Sequence, residues 1–518
     1  MKVKFYTRLV ITVLFVILAA DLTFSNLELA ADPVKKFLKR EYTFSEARDA
    51  IAESYPENLK EKYAFINLNG LFVSSAGQRV CNDVVKLNNG MLYLTGEQAD
   101  LTPEKNIVVD LYDQLESIGI DFVYVLSPTK MDLNNELLPK GVDCYLNRNS
   151  DQLLADLASE GVDFLDLRQD MADTPEHIEE YFYRTDHHWT PLGAFRGFQE
   201  ISEYLQEMYP EEEILGEYQD LDSWEIHKNE DWFLGSRGKR TGKFFAGTDD
   251  LIWLTPKFDT EQSFANVFRN EFYYGDFCDA NIRERYIEHK DYFEDNPYCI
   301  YVGGNYPLVK YRNLNAPSGK KVLIVQDSFC LPLETFMSTV FKEVDTIDMR
   351  YYTCGSLDEY ILDTRPDVVL MNFNVGTAQN MSLYGTGADT EIGNSSTEIV
   401  SDDGSAVLEP EDDKKYHFET VYSGIRSGKR YRLTLDSVTV TDGETEGLSL
   451  RLYDPVSGDS YDCEMFDLNY CEESGGFEWI FTAPEEADNL DLLIYAGVSG
   501  HTENIGVEVS GIDLYEYV

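Results

Sequence analysis

Basic residues are scarce in this chain: 43 Lys and Arg stand against 94 Asp and Glu, a formal net charge of −51. Phosphate backbones need a basic footprint, so nucleic acid is excluded as a partner. The same field disfavours an anionic membrane surface, and the acidity fits solubility outside the cell. The 8 cysteines, at 81, 144, 278, 299, 330, 354, 463 and 471, form no CxxC pair, so no structural zinc is expected. There is no internal repeat and no Walker spacing. Beyond the N-terminus no apolar run is long enough to span a bilayer. Only 7 histidines occur in 518 residues.

The remaining composition indicates packed domains. Hydrophobic residues make up 43% and aromatics 13%, which indicates globular structure. The chain is too long for one core, so two or three domains are expected. The 34 tyrosines suit either sugar contacts or ordinary packing. At the N-terminus Lys2, Lys4 and Arg8 precede an apolar run from Leu9 to Ala20. That is the pattern of an export signal, either a cleaved peptide or a retained anchor over residues 1–25. The body is therefore expected outside the cytoplasm, secreted or anchored by that segment. An even cysteine count in an exported chain permits disulfides. Cys463–Cys471 is the leading candidate pair and Cys278–Cys299 the second.

Two of the few histidines stand side by side in Arg184-Thr185-Asp186-His187-His188-Trp189. In an extended segment Asp186 and His188 point the same way. The carboxylate can then hold one imidazole nitrogen while the other faces a nucleophile. Far downstream, Gln326-Asp327-Ser328-Phe329 follows the apolar run Val322-Leu323-Ile324-Val325, which reads as a buried parallel strand. A serine at the carboxyl end of such a strand lies where open α/β sheets place their sites. Asp186, His188 and Ser328 are thus the candidate catalytic set, with amides of the helix starting near Leu331 as oxyanion donors. Asp327-Ser328 as a plain helix cap, and Asp186 with His188 as metal ligands, are the competing readings. No further His or Cys cluster completes a metal site, so no metal and no cofactor are expected. Arg350, Asn305 and Tyr352 are candidates for substrate or oxyanion contacts. The stretch Phe233 to Gly242 is a glycine-rich basic loop that either cradles an anion or forms a bare surface turn.

Along the chain, residues 26–60 read as a polar stalk. Asn-Gly pairs within 63–94 signal turns between short strands. Helices are expected at about Pro103–Ser117, Ser150–Glu160 and Thr190–Tyr209. Buried strands are expected at Asp121–Leu126, Val162–Leu167, Lys321–Val325, Val344–Asp348 and Val368–Asn372. This order implies a mostly parallel sheet with helices on both faces over 61–385, interrupted by an irregular insertion at about 210–320. A Gly/Ser/Thr/Asp-rich linker covers 376–405. Short alternating strands over 400–518 then read as a β-sandwich, expected to fold alone from about residue 406.

The strings Thr185-Asp186-His187-His188-Trp189-Thr190-Pro191-Leu192-Gly193 and Val322-Leu323-Ile324-Val325-Gln326-Asp327-Ser328-Phe329 together resemble the DHHW family. Its members are related to the alginate O-acetyltransferases with an SGNH-hydrolase-like domain. The resemblance covers roughly residues 40–375. It implies a triad of Asp186, His188 and Ser328, with the serine last in the chain order, and Gln326 departs from the glycine usual before the Asp-Ser pair. Relatives of this kind also carry GSxGxxxG segments, matching Gly235-Ser236-Arg237-Gly238 and Gly242. The implied function is an exported O-acyltransferase acting on a polysaccharide through an acyl-serine. The implied partners are the polysaccharide acceptor and a membrane-bound O-acyltransferase as acyl source, and the C-terminal sandwich is the counterpart of a carbohydrate-binding module. An esterase using the same triad, or a glycan-binding protein with a vestigial one, are the alternatives.

Overall fold

The computed structural model describes residues 27–50, 59–353, 355–381, 397–409, 417–474, 476–484, 487–496 and 505–517. The export segment and Cys354 lie outside the described residues. So does half of the expected linker, residues 382–396, while its end, from Thr397, is already strand. Among the described residues no helix is long and apolar enough to cross a membrane.

The central sheet has eight strands: β1 (Asp121–Ser127), β2 (Phe164–Asp166), β3 (Gln262–Asn266), β4 (Glu271–Gly275), β5 (Leu308–Arg312), β6 (Ser318–Gln326), β7 (Phe341–Ile347) and β8 (Val368–Asn374). Their spatial order is β2-β1-β8-β6-β7-β5-β3-β4. The first five are parallel; β5, β3 and β4 add on antiparallel. The run 322–325 shows why β6 sits in the middle. Val322 and Ile324 enter one apolar core, Leu323 and Val325 the other, so both faces are covered. The helices form where the sequence signals them. Thr102–Ile118 carries Pro103 in its first turn and ends at Gly119 with φ 73°, and Leu146–Glu160 ends at Gly161 with φ 84°. Pro191–Met208 is capped by the Thr190 side chain, which accepts from the Gly193 amide.

Several sequence expectations differ from the structure. Residues 62–75 form one helix, not short strands. Gly70, read as a turn residue, lies inside it because a Cβ there would come within 2.3 Å of the Thr241 carbonyl oxygen. Close approach of two backbones, not a turn, requires that glycine. The segment 210–320 also contributes more than an irregular insertion. It supplies a hairpin, Trp224–Phe233 with Asp249–Pro256, and three strands of the main sheet. The disulfide candidates are free thiols: Cys463 packs toward the central sheet and Cys471 into the sandwich core, so their side chains serve different layers. Cys278 and Cys299 are likewise unpaired, one exposed and one buried.

Nine further strands make the C-terminal sandwich: β9 (Thr397–Leu408), β10 (His417–Ile425), β11 (Arg430–Leu435), β12 (Ser437–Asp442), β13 (Gly447–Tyr453), β14 (Ser460–Asp467), β15 (Phe477–Thr482), β16 (Leu490–Ala496) and β17 (Gly506–Tyr517). One sheet runs β9-β17-β11-β15 with β12 also on β17, the other β10-β16-β13-β14. Alternation in β11 sends Tyr431, Leu433 and Leu435 inward. The sandwich also closes the central sheet. Cys463 and Met465 of β14 belong to the same buried cluster as Ala265, Val267, Phe272 and Leu308. Lys310 Nζ meets Glu464 Oε2 at 2.5 Å, both side chains nearly buried, and the Tyr470 hydroxyl donates to Glu343 at 2.7 Å. These contacts tie the sandwich to the upstream domain. Ending the chain at residue 396 uncovers this face and forfeits the burial of two side chains at about 1.5–3 kcal/mol each. Thermal unfolding should show the truncated protein melting several degrees below the full chain, with apolar dye binding at the exposed sheet. An unchanged midpoint would mean that the sandwich is an appendage.

Candidate active site

Ser328 follows β6 at the carboxyl end of the parallel strands, where neighbouring loops converge. Its turn is held by the buried Asp327. Oδ1 accepts from the Phe329 amide at 2.9 Å. Oδ2 accepts from the Asn374 amide at 2.9 Å and also from the Asn374 side-chain amide, binding the serine turn to the end of β8. The Cys330 amide donates to the Asp327 carbonyl at 3.1 Å. The amides of Phe329 and Cys330, at the start of the helix Cys330–Met337, are thus spent on Asp327. The Ser328 amide is drawn into neither bond.

The Ser328 hydroxyl lies 2.8 Å from His188 Nε2. On the other side of the ring, Nδ1 meets Asp186 Oδ1 at 2.5 Å, which leaves Nε2 as the acceptor for the serine proton. The His188 amide donates to the same carboxylate oxygen at 3.1 Å, and the Ser236 amide donates to Oδ2 at 2.6 Å. Burial disfavours the Asp186 charge, but His188, His187 and these hydrogen bonds outweigh it and hold its pKa well below the usual carboxylate value. His187 turns aside: its Nδ1 pairs with Ser236 Oγ at 2.8 Å. Burial and the adjacent His188 push its pKa well below the ordinary imidazole value. Asp186, His187 and His188 bring donor atoms within 4.8 Å of one another. An ion there would compete with the Asp186–His188 bond that orients the imidazole.

Three residues that sequence reasoning did not single out complete the frame. Tyr298 stacks on the His188 ring at 3.7 Å and 5°, and its hydroxyl donates to the Ser328 carbonyl at 3.0 Å and that of Phe329 at 3.2 Å. Lys130, fully buried, donates to the carbonyls of Tyr183 and Arg184 at 2.8 and 3.0 Å and to that of Asp186. Burial lowers its pKa to about 7, while three carbonyl acceptors match the three donors of an ammonium. Asp249 fixes the same loop, accepting from the amides of Arg184 and Thr185. Gly235 is the tightest contact: a Cβ there would lie 2.2 Å from Asp186 Cβ. The glycine-rich stretch is neither a bare turn nor an anion cradle at that point. It is the backbone against which Asp186 rests. The resemblance to GSxGxxxG segments was the signal that could have found Ser236; nothing set Tyr298 apart among 34 tyrosines.

The other candidates lie differently. The Arg350 guanidinium is forked onto the buried Asp348, at 2.8 Å from Nε and 2.5 Å from Nη2, so its donors are already committed. Tyr352 packs edge-on to Phe268 and Tyr360 and lines a cleft of about 440 Å³ between the central sheet and the sandwich. Asn305 is half-buried in the loop before β5. Among the described residues neither Arg350 nor Asn305 is hydrogen-bonded to Ser328 or His188.

Residues 87–226 match the family described as "SGNH hydrolase-like domain, acetyltransferase AlgX". This segment is similar to the SGNH hydrolase-like domain of AlgX. Asp186 and His188 fall within the matched SGNH-like segment, and Ser328 lies downstream of it. Over 109 residues the chain is 33% identical to the alginate biosynthesis protein AlgX of Pseudomonas aeruginosa, covering 20% of this chain and 23% of that protein. The match therefore spans less than a quarter of that relative's length. Two solved structures are also similar. Bacillus cereus PatB1 has 20% identity and a TM-score of 0.49, covering 57% of this chain and 96% of that one. A DHHW family protein from Eubacterium siraeum has 20% identity and a TM-score of 0.43, covering 60% and 98%.

Proposed function

We propose that this chain is an extracytoplasmic O-acyltransferase that places acyl groups, acetyl above all, on the hydroxyls of a polysaccharide. The observation that carries the reading is the unbroken hydrogen-bond line from Asp186 through His188 to the Ser328 hydroxyl, at the carboxyl end of a parallel sheet. The acetyltransferase description of the matched domain supports it.

In the first half-reaction Ser328 Oγ attacks the ester carbonyl of the donor while His188 Nε2 takes the hydroxyl proton. Asp186 keeps Nδ1 protonated and stabilises the imidazolium. The Ser328 amide is the nearest donor for the oxyanion. The bond to the donor oxygen breaks, and His188 returns the proton to that leaving alcohol. In the second half-reaction a glycan hydroxyl gives its proton to His188 and attacks the acyl-serine carbonyl. The acylated glycan leaves, and Ser328 recovers its proton. The donor is supplied across the membrane by a membrane-bound O-acyltransferase. The sandwich serves to hold glycan, and the exposed Phe418, packed beside Tyr495 at 5.3 Å, is the aromatic surface it offers.

The test is to incubate the purified full chain with 4-nitrophenyl acetate, with and without polysaccharide, and to measure glycan-bound acetyl by mass spectrometry. Acetylated glycan at the expense of free acetate is expected. Free acetate alone, indifferent to every acceptor, would replace the transferase by an esterase.

A further inference from the structure

The segment Ser236-Arg237-Gly238-Lys239-Arg240-Thr241-Gly242-Lys243 holds four cations and no acid in a chain whose net charge is −51. Three of the four are accounted for inside the fold. Lys239 Nζ donates to the Asp295 carbonyl, Arg240 pairs with Asp83, and Lys243 Nζ lies 4.0 Å over the Tyr292 ring. Arg237 is the exception. It is half-buried, yet among the described residues its guanidinium has no hydrogen bond, ion pair or ring contact.

Its place makes this informative. The preceding residue, Ser236, touches both Asp186 and His187. Arg237 follows it directly on the helix Ser236–Thr241, one residue from the backbone amide that holds Asp186, and its charge is within reach of Asp186 and His187. Neither nearby carboxylate is open to it. Asp186 already receives His188 on Oδ1 and the Ser236 amide on Oδ2, and Asp83 is taken by Arg240. A guanidinium stays charged even where burial opposes it. Removing five donors from much of their water without a partner is costly unless a ligand supplies one. Arg350, by contrast, has its fork filled by Asp348.

We propose that Arg237 is a specificity-determining residue that binds an oxyanion, a carboxylate or phosphate, carried by the acceptor glycan beside the hydroxyl being acylated. This rests on the acceptor being a polysaccharide. A planar fork aimed at an oxyanion gives two parallel charge-assisted bonds. In a molecule of this net charge, whose long-range field repels polyanions, one such contact at the site selects the sugar unit that can dock.

The experiment measures binding on the full chain carrying Ser328→Ala, so that turnover does not enter. The probes are a galacturonic acid hexamer, the same hexamer with its carboxyls reduced, and an oligosaccharide bearing phosphodiesters. Adding Arg237→Gln should weaken at least one charged probe tenfold or more while moving the reduced hexamer less than twofold. The charged probe affected identifies carboxylate or phosphate as the source of the oxyanion. Arg237→Lys should retain part of the affinity, which controls for a fold lost in the glutamine variant. Equal loss for charged and reduced probes, or no loss for any, overturns the proposal. Ser328-dependent hydrolysis of 4-nitrophenyl acetate by the otherwise unaltered chain is followed in parallel. Its absence would sink the acyl-transfer reading while leaving the binding result to stand or fall by itself.

Discussion

Ser328→Ala should reduce acyl-ester turnover by about 10⁴-fold or more, as the loss of a triad nucleophile does. Only one hydroxyl is removed, and its single bond to His188 Nε2 is worth about 0.5–1.5 kcal/mol. The turn itself is held by Asp327, Asn374 and Tyr298, so the unfolding midpoint should move little. A fluorophosphonate should label the unmodified chain once, at Ser328, and the variant not at all. Turnover that survives the substitution would take this serine out of the chemistry.

The second large effect separates two adjacent residues. His188→Ala should cost several orders of magnitude in kcat/KM, because it removes both the base and the group Asp186 is built to orient. His187→Ala should cost about tenfold or less, since its ring is bonded to Ser236 and stays uncharged near neutral pH. Asp186 adds a pH signature. Its pKa in the folded state lies below the unfolded 3.8, so its contribution to stability is complete above that value and is lost as pH falls through the folded one. It therefore stays charged across neutral and mildly acidic pH, and a loss of rate there is not its titration. Stopped-assay kinetics on both alanine variants decide the assignment, and the opposite ranking would show that His187 is the base.

What could be read from the residues was whatever local chemistry controls. The apolar run before Ser328 was visible because strand geometry ties side-chain direction to sequence position. Asp186 and His188 were visible by spacing, although their segment bends instead of running extended, with Asp186 Oδ1 accepting from the His188 amide. Pro191 marked the start of its helix because its fixed φ suits a first turn. Contacts made over long distances left no such trace. Asn69-Gly70 looks like a turn until the Thr241 carbonyl is brought against it. Strand β3, Gln262–Asn266, has no alternation of its own, and all five of its residues are buried by neighbours from elsewhere. Lys130 reaches the Asp186 carbonyl across 56 residues and Tyr298 the Ser328 carbonyl across 30, so neither could be ranked above its many equivalents. Cys463 and Cys471 looked like a hairpin pair, but the layer each side chain enters depends on a sheet formed far upstream.

The strand order has a consequence for how activity appears in time. The first strand of the central sheet takes its inner partner from residues more than two hundred positions later: Ser127 on β1 is bonded to Asn372 on β8, 245 residues away. Ser328 itself follows β6, the strand on the other side of β8. The layer that covers β3 and β5 comes from the sandwich, whose β9, β11 and β12 all pair with residues 506–517. Loops of this length close slowly, and the bonds that reward closure come only at the end. A nascent chain emerging amino end first thus carries β1 with an open edge through most of its synthesis, a template for mispairing. The nucleophile and its base, 140 residues apart, meet only after that edge is filled. Partly made molecules should therefore hold no reactive serine, and labelling by a serine probe during refolding should rise as one late phase.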